Sequence, residues 1–498
     1  METLGHFVGG KAVEGRSNRR HDIYDPVRGT VRRHVALATA DEVRAAIGAA
    51  QAAFPGWAAT NPQRRARVMF AFKRLVELAK DDLARLLSSE HGKTIPDAAG
   101  DVQRGLEVIE FACGIPHLQK GAYTEGAGPD IDVYSMRQPL GVCAGITPFN
   151  FPAMIPMWMF GPAIAAGNTF VNKPSEKDPS VPMRLAELMM EAGAPEGVLN
   201  VVNGDKEAVD AILADERVKA VSFVGSSDIA QSIYATGCAN GKRVQAFGGA
   251  KNHMIVMPDA DIENAASQLI GSAYGSAGER CMATPVVVPV GDDTADRLIE
   301  ALKPKIEALR IGPSDRDVDI GPLVTAQHRD RVRDWIDTAE REGQEVVVDG
   351  RQITVEDAPD GFFLGATLLD HAKPGQSSYE EEIFGPVLQI VRADSLDDAI
   401  RLPSEHQYGN GVAIFTASGA AARKFAAEVE VGMVGVNVPI PVPVAYHSFG
   451  GWKRSGFGDT NQHGPEGVRF WTKVKTVTQR WDWDEDLAGS EFVIPTMQ

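Results

Sequence analysis

Cysteine is scarce in this sequence, with four residues (Cys113, Cys143, Cys238 and Cys281) in 498. They are too few and too scattered for a disulfide framework, and without a CxxC pair they give no sign of zinc. No metal site is expected. A reducing compartment fits this usage, and the cytoplasm is the expected location. Positive charge is in deficit too: 50 Lys and Arg stand against 67 Asp and Glu, a formal net charge of −17. Such a surface repels phosphate backbones and anionic headgroups, so neither nucleic acid nor a membrane surface is an expected partner. The first residues, METLGHFVGGKAVEGRSNRR, contain no apolar run that reads as a secretory signal.

Two further absences shape the reading. Residues 138–172 carry no charge at all, yet Pro139, Pro148, Pro152, Pro156 and Pro162 interrupt them. A membrane-spanning helix needs roughly 20 mostly apolar residues with intact backbone bonds. The stretch therefore reads as a buried strand, loop and helix in a large core. The dinucleotide fingerprint G-x-G-x-x-G occurs nowhere, so any nucleotide site must rest on other features.

What is present is ordinary for a globular chain: 44% hydrophobic and 23% charged residues, at a length that suggests two to four domains. Residues 41–112 repeat apolar side chains three and four apart and predict amphipathic helices. From 138 to 250, short apolar runs (LGVCAGI, NTFVNK, LNVVNG, AVSFVGS) alternate with helical stretches, and a second alternating block spans 251–440. Alternation at this spacing predicts βαβ units and parallel sheets, here two α/β lobes. Residues 121–135 and 466–480 look extended and belong to neither lobe. Either they pair with each other, or they form an arm that another subunit completes. No internal repeat or low-complexity segment is present.

Four segments carry chemistry. ITPFNFP (146–152) follows a strand, and FVNKPSEK (170–177) puts Lys173 and Glu176 at a strand end, where they could hold ribose hydroxyls. SFVGSSDIA (222–230) offers backbone N–H groups and the Ser226 hydroxyl to a phosphate. Each of these alone is also explained by a plain βα turn. In GERCMA (278–283), Cys281 closes an Ala/Gly/Ser-rich helix beside Arg280, and a neighbouring cation lowers a thiol's pKa. Cys113, Cys143 and Cys238 read as small core residues.

With EEIFGP (381–386), YGNGVAIF and GVNVP, these segments resemble the aldehyde dehydrogenase superfamily over nearly the whole chain. The resemblance implies an α/β fold with two Rossmann-like parallel-sheet lobes and a β oligomerisation arm. It divides the chain into an NAD-binding domain (1–120 and 142–247), a catalytic domain (248–445) and the arm (121–141 and 466–498), which builds a dimer or tetramer. Residue by residue, it makes Cys281 the nucleophile and Asn150 an oxyanion donor. It makes Lys173 and Glu176 the adenosine-ribose clamp, Ser226 a pyrophosphate contact, and Glu382 with Phe384 the nicotinamide-ribose holders. Thr147, Phe149, Lys177 and Gly248 join the cofactor contacts. Glu176 favours NAD, since a carboxylate repels the 2′-phosphate of NADP.

One departure narrows the class. The family's usual ELGGK is Phe247-Gly248-Gly249-Ala250-Lys251 here, with phenylalanine where the water-activating glutamate stands. Without that base hydrolysis of an acyl-enzyme is slow, whereas a thiol brings its own anion. Coenzyme A is therefore the expected acyl acceptor. The segments DVQRGLEVIEFAC, GAKNH, GERCMA and VGVNVPIPVP are similar to the CoA-acylating, methylmalonate-semialdehyde branch of the family. That branch implies a carboxylate-bearing substrate held by Arg104 and Arg280, although Arg104 alone would read as a solvated helix face. A hydrolytic aldehyde dehydrogenase is the alternative, and a non-catalytic protein retaining the fold is the alternative of another class.

Overall fold

The uncharged stretch 138–172 folds into a strand, a helix and a second strand, almost wholly buried, at the centre of one sheet. The computed structural model describes residues 1–481. Before that stretch come the predicted amphipathic helices, of which two position the site. Helix α1 (Lys80–His91) ends at Gly92, whose φ of +96° is the left-handed cap that glycine adopts without strain. Helix α2 (Ile95–Cys113) has proline in its first turn and buries Ala98, Asp101, Val102, Gly105, Leu106 and Ile109, the stripe expected at three- and four-residue spacing.

Strand β1 (Val142–Ile146) leads to helix α3 (Met154–Ala165) and strand β2 (Thr169–Lys173). Helix α2 lies against the start of α3 at Gly105, where a Cβ would come within 2.2 Å of the Met157 methyl. Strands β3 (Leu199–Val201) and β4 (Val218–Val224), helix α4 (Ser227–Ala239) and strand β5 (Arg243–Phe247) complete this unit. The strands run in the order β5-β4-β1-β2-β3 and are mutually parallel, with short antiparallel strands at both edges. Chain direction across the sheet reverses between β1 and β4. A ligand crevice opens outside the carboxyl ends of strands at such a point.

The second unit contains β6 (His253–Val256), helix α5 (Ile262–Tyr274), β7 (Val286–Pro289), β8 (Thr367–Asp370), β9 (Val387–Ile390), β10 (Gly411–Phe415) and β11 (Met433–Val436). Its sheet reads β8-β9-β7-β6-β10-β11, all parallel, with Glu345–Val348 antiparallel on the β8 edge. Apart from the edge strand β11, where Val436 is exposed, these strands are buried and rich in Val, Ile and Leu, as parallel strands covered on both faces require. No described helix is long and apolar enough to cross a membrane.

The two extended segments pair with each other. Ile131–Pro139 runs antiparallel to Thr472–Arg480 in unbroken register, with Tyr123–Gly128 on its other side. The expected strand character of 466–470 is not found, because Gly464–Phe470 is a helix. Pro465 suits its first turn, and Phe470 and Trp471 are buried in the core. Residues 482–498, also assigned to the arm, lie outside the described residues. Cys113 and Cys143 are buried as expected, but Cys238 is exposed on α4.

Candidate active site

Cys281 does not close a helix. Helix α5 stops at Tyr274, and one 3₁₀ turn (Gly275–Gly278) follows in which Ser276, Ala277 and Gly278 all have positive φ. Two non-glycine residues in this region cost about 1–3 kcal/mol each, and surrounding contacts must hold them there. The contacts are backbone to backbone. A Cβ on Gly278 would come within 2.0 Å of the Gly385 carbonyl, so the cysteine loop and the 381–386 loop touch through glycine. Beyond the turn, the Cys281 carbonyl accepts from the side-chain amides of Asn252 and Asn410, each at 3.0 Å. The two asparagines follow from GAKNH and YGNGVAIF, segments that carried the resemblance without any role given to these residues.

Two cavities meet at Cys281. The larger, about 200 Å³, is lined by Arg104, Arg280, Asp97 and Asp101 and by apolar side chains that include Phe151, Trp158, Ile440 and Phe449. The smaller, about 20 Å³, is bounded by Ala250, Asn252, Glu382 and Phe384. Arg104 donates to Glu107 at 2.6 Å and to the Pro443 carbonyl at 2.9 Å, which fixes its guanidinium beside the larger cavity. Arg280 donates to Asp97 at 2.5 Å. Its charge is thereby engaged, and the expected lowering of the neighbouring thiol is not found. Burial pushes the Cys281 thiol up to about 12, and the Glu382 carboxylate adds to the shift.

Asn150 is buried in the loop after β1, and its side-chain amide donates to no acceptor among the described residues. Two residues earlier in that loop than Phe151, Phe149 carries the Lys177 ammonium 4.4 Å over its ring and meets the Phe384 ring edge-on at 5.9 Å. Phe384 has φ +58°, held in part by its carbonyl accepting from His328 at 2.7 Å. Glu382 accepts from the Ala250 N–H at 2.9 Å. Burial raises its carboxyl to about 7, against the pull of that hydrogen bond.

The remaining residues line the carboxyl edge of the first sheet. Thr147 follows β1, and its buried hydroxyl has no hydrogen-bond partner among the described residues. Lys173 ends β2, 3.5 Å from Glu176. Burial lowers the Lys173 ammonium; burial would raise Glu176, but the Lys173 charge holds its carboxyl below the usual range. Ser226 caps α4 with its side chain exposed and making no capping bond. The neighbouring Ser227 is the tethered one, donating to the Arg454 carbonyl and accepting from Gly249 N–H. At Gly248 a Cβ would come within 2.4 Å of Ser227 Oγ and Arg454 O, so protein fills that side. An orphaned Thr147 hydroxyl, a free Ser226 at a helix N-terminus and a lysine–carboxylate pair at the switch point suit a dinucleotide, with hydroxyls at one end and phosphates in the middle. NAD fits this edge. Reasoning from sequence missed Asp97, Asp101 and Lys93, whose importance lies in what they touch and not in any motif.

Residues 12–477 match the model of the aldehyde dehydrogenase family. Over its full length the chain is 54% identical to a malonate-semialdehyde dehydrogenase of Pseudomonas aeruginosa, covering all of that protein. It is 46% identical to the human mitochondrial methylmalonate-semialdehyde/malonate-semialdehyde dehydrogenase (acylating), over all of this chain and 93% of that one. A Sinorhizobium meliloti 1021 protein crystallised with NAD, provisionally named methylmalonate-semialdehyde dehydrogenase, superposes with TM-score 0.96 at 59% identity, covering 97% of this chain and 99% of that one. The Oceanimonas doudoroffii methylmalonate-semialdehyde dehydrogenase gives TM-score 0.96 at 56% identity, with the same coverage. The chain belongs to the aldehyde dehydrogenase family.

Proposed function

We propose that this protein oxidises methylmalonate semialdehyde, malonate semialdehyde or both with NAD and transfers the acyl group to coenzyme A. The observation that carries this is a single cavity lined by Cys281 and by two arginines, Arg104 and Arg280. A short aldehyde with a carboxylate fits between them, and planar guanidinium forks suit that carboxylate better than ammonium groups would.

The Cys281 thiolate attacks the aldehyde carbon and forms a C–S bond. The Asn150 amide and the Cys281 backbone N–H donate to the resulting alkoxide, where two donors in a dry site are worth several kcal/mol. NAD, held by Lys173, Glu176, Ser226, Glu382 and Phe384, supplies the hydride acceptor when bound, and the alkoxide collapses to a thioester. Release of the substrate carboxylate as CO₂ breaks its bond to the adjacent carbon. The electron pair moves to the thioester oxygen, under the same two donors, and the carbon then takes a proton. The CoA thiolate then attacks the thioester carbon; a new C–S bond forms as the bond to Cys281 breaks, giving propionyl- or acetyl-CoA and restoring the Cys281 thiolate. Phe247 stands where a hydrolytic relative needs a carboxylate, and this supports thiolysis over hydrolysis.

The division into an NAD-binding domain (1–120 and 142–247), a catalytic domain (248–445) and an arm belongs to this reading. So do a homo-oligomer joined through the arm sheet and a cytoplasmic location. The test is NADH formation with each semialdehyde, with and without CoA, with the acyl-CoA products identified. CoA-independent release of a free acid at full rate would overturn the assignment.

A further inference from the structure

Helix α2 presents Asp97, Asp101 and Arg104 on one face, toward the larger cavity. Asp97 reaches the cysteine loop through Arg280, and Arg104 faces the cavity. Asp101 is fully buried, and its carboxylate accepts from Met154 N–H at 2.7 Å, at the first residue of α3. Its other oxygen lies 3.7 Å from the ammonium of Lys93, just past the Gly92 cap of α1. Lys93 is 1% exposed, yet its ammonium has left water for three partners. It donates to the Asn150 carbonyl at 2.6 Å, sits 4.3 Å over the Phe151 ring, and pairs with Asp101. A buried ammonium is tolerated only where such partners replace its hydration.

We infer that Lys93 and Asp101 are a pair of positioning residues for the oxyanion loop, Lys93 fixing Asn150 through its carbonyl and Asp101 fixing the point where that loop enters α3. This rests on the proposed role of Asn150. The two grips are four residues apart, on either side of a short turn whose backbone is closed by one bond, from Ile155 N–H to the Phe151 carbonyl at 3.2 Å. Held at both ends, the turn keeps the Asn150 amide aimed without relying on the substrate to order it, which is how preorganised donors act. The same ammonium also acts through space. The Lys93 charge reaches His91 of α1, Asp97 and Asp101 of α2, Asp178, Glu279 and Cys281. At Cys281 it favours the thiolate, opposing burial and the Glu382 carboxylate, while Arg280 is turned to Asp97.

The experiment compares Lys93→Met, Asp101→Asn and Asn150→Ala in the full-length enzyme. The readouts are the rate constant of the first NADH turnover, NAD affinity by fluorescence, and the pH midpoint of Cys281 alkylation by iodoacetamide without cofactor. Lys93→Met should slow the first turnover roughly 10- to 100-fold, short of the 10²–10³ lost when an oxyanion donor is deleted. NAD affinity should hold, and the alkylation midpoint should rise. Asp101→Asn keeps an acceptor for Met154 N–H but removes the counter-charge of Lys93, so its midpoint should fall. A merely structural pair would not give opposite shifts. First turnover within about threefold of wild type in Lys93→Met, with Asn150→Ala slow, overturns the inference. So do midpoints that move together or not at all. If Lys93→Met fails to fold, Asp101→Asn decides, and an unmoved or raised midpoint overturns the inference. Full activity in Asn150→Ala would remove the oxyanion reading beneath it.

Discussion

The Asp97 carboxylate holds the Arg280 guanidinium at 2.5 Å, one residue from Cys281. The bond joins the first turn of α2 to the cysteine loop and points the arginine along the wall that Arg104 shares. The guanidinium charge next to Cys281 is thus spent on orientation and not on lowering the thiol. Asp97→Ala should therefore raise the KM for a carboxylate-bearing semialdehyde roughly tenfold, since an arginine left free loses its preset geometry. Propionaldehyde, which has no carboxylate, should change far less. Equal effects on both substrates would show that Asp97 only supports the fold.

Arg104 lines the same cavity with its guanidinium only partly occupied by Glu107 and the Pro443 carbonyl. Arg104→Leu should raise KM for the semialdehydes by two orders of magnitude, about 2–3 kcal/mol for a lost charge-assisted contact, and leave propionaldehyde nearly untouched. Steady-state kinetics with both aldehydes checks this.

Glu176 is held below the usual carboxylate range by Lys173, so it is fully ionised at neutral pH. Glu176→Gln should relax the preference for NAD over NADP by at least tenfold in kcat/KM, because it removes the charge that repels a 2′-phosphate. An unchanged ratio would place Glu176 away from the ribose.

Glu382 is raised to about 7 by burial, so it passes from neutral to ionised between pH 6 and 8. Only the ionised form is a strong acceptor for ribose hydroxyls. NAD affinity should therefore weaken as pH falls from 8 to 6, by about fivefold for the loss of one charged hydrogen bond. Glu382→Gln should bind NAD weakly with a flat profile across the same range. A sloping profile in that variant would assign the titration to another group.

Phe247 is buried at the end of β5 and cannot accept a proton from water. Without CoA, NADH should appear as a burst matching the active sites and then continue slowly, as the acyl-enzyme on Cys281 accumulates. CoA should lift the steady rate well over tenfold, since loss of a general base costs about 10²–10⁴-fold and the thiol bypasses it. Stopped-flow absorbance of NADH measures both phases. A fast steady rate without CoA would point to an unidentified base.

The parallel lobes, and the strand ends and loops that carry the candidate site residues, were legible because each rests on local rules. Apolar runs alternating with amphipathic helices make βαβ units. NKPSE places a lysine and a carboxylate at a strand's carboxyl end whatever the rest of the chain does. Other features depended on partners distant in sequence. Arg280 was read as an activator of Cys281 because sequence shows adjacency along the chain, while the direction of a long side chain is set by Asp97, 183 positions away. Lys93 and Asp101 carry no motif in the sequence; they are buried where the end of α1 and the face of α2 meet the 150–154 turn, through Asn150, Phe151 and Met154. The 466–470 segment has strand-forming aromatics, yet Phe470 and Trp471 are drawn into the core and the chain coils there. Sequence by itself determined which chemistry this protein carries. Tertiary structure decided which charges orient it, because burial and long-range ion pairing are set by what packs together, not by what is adjacent in the chain.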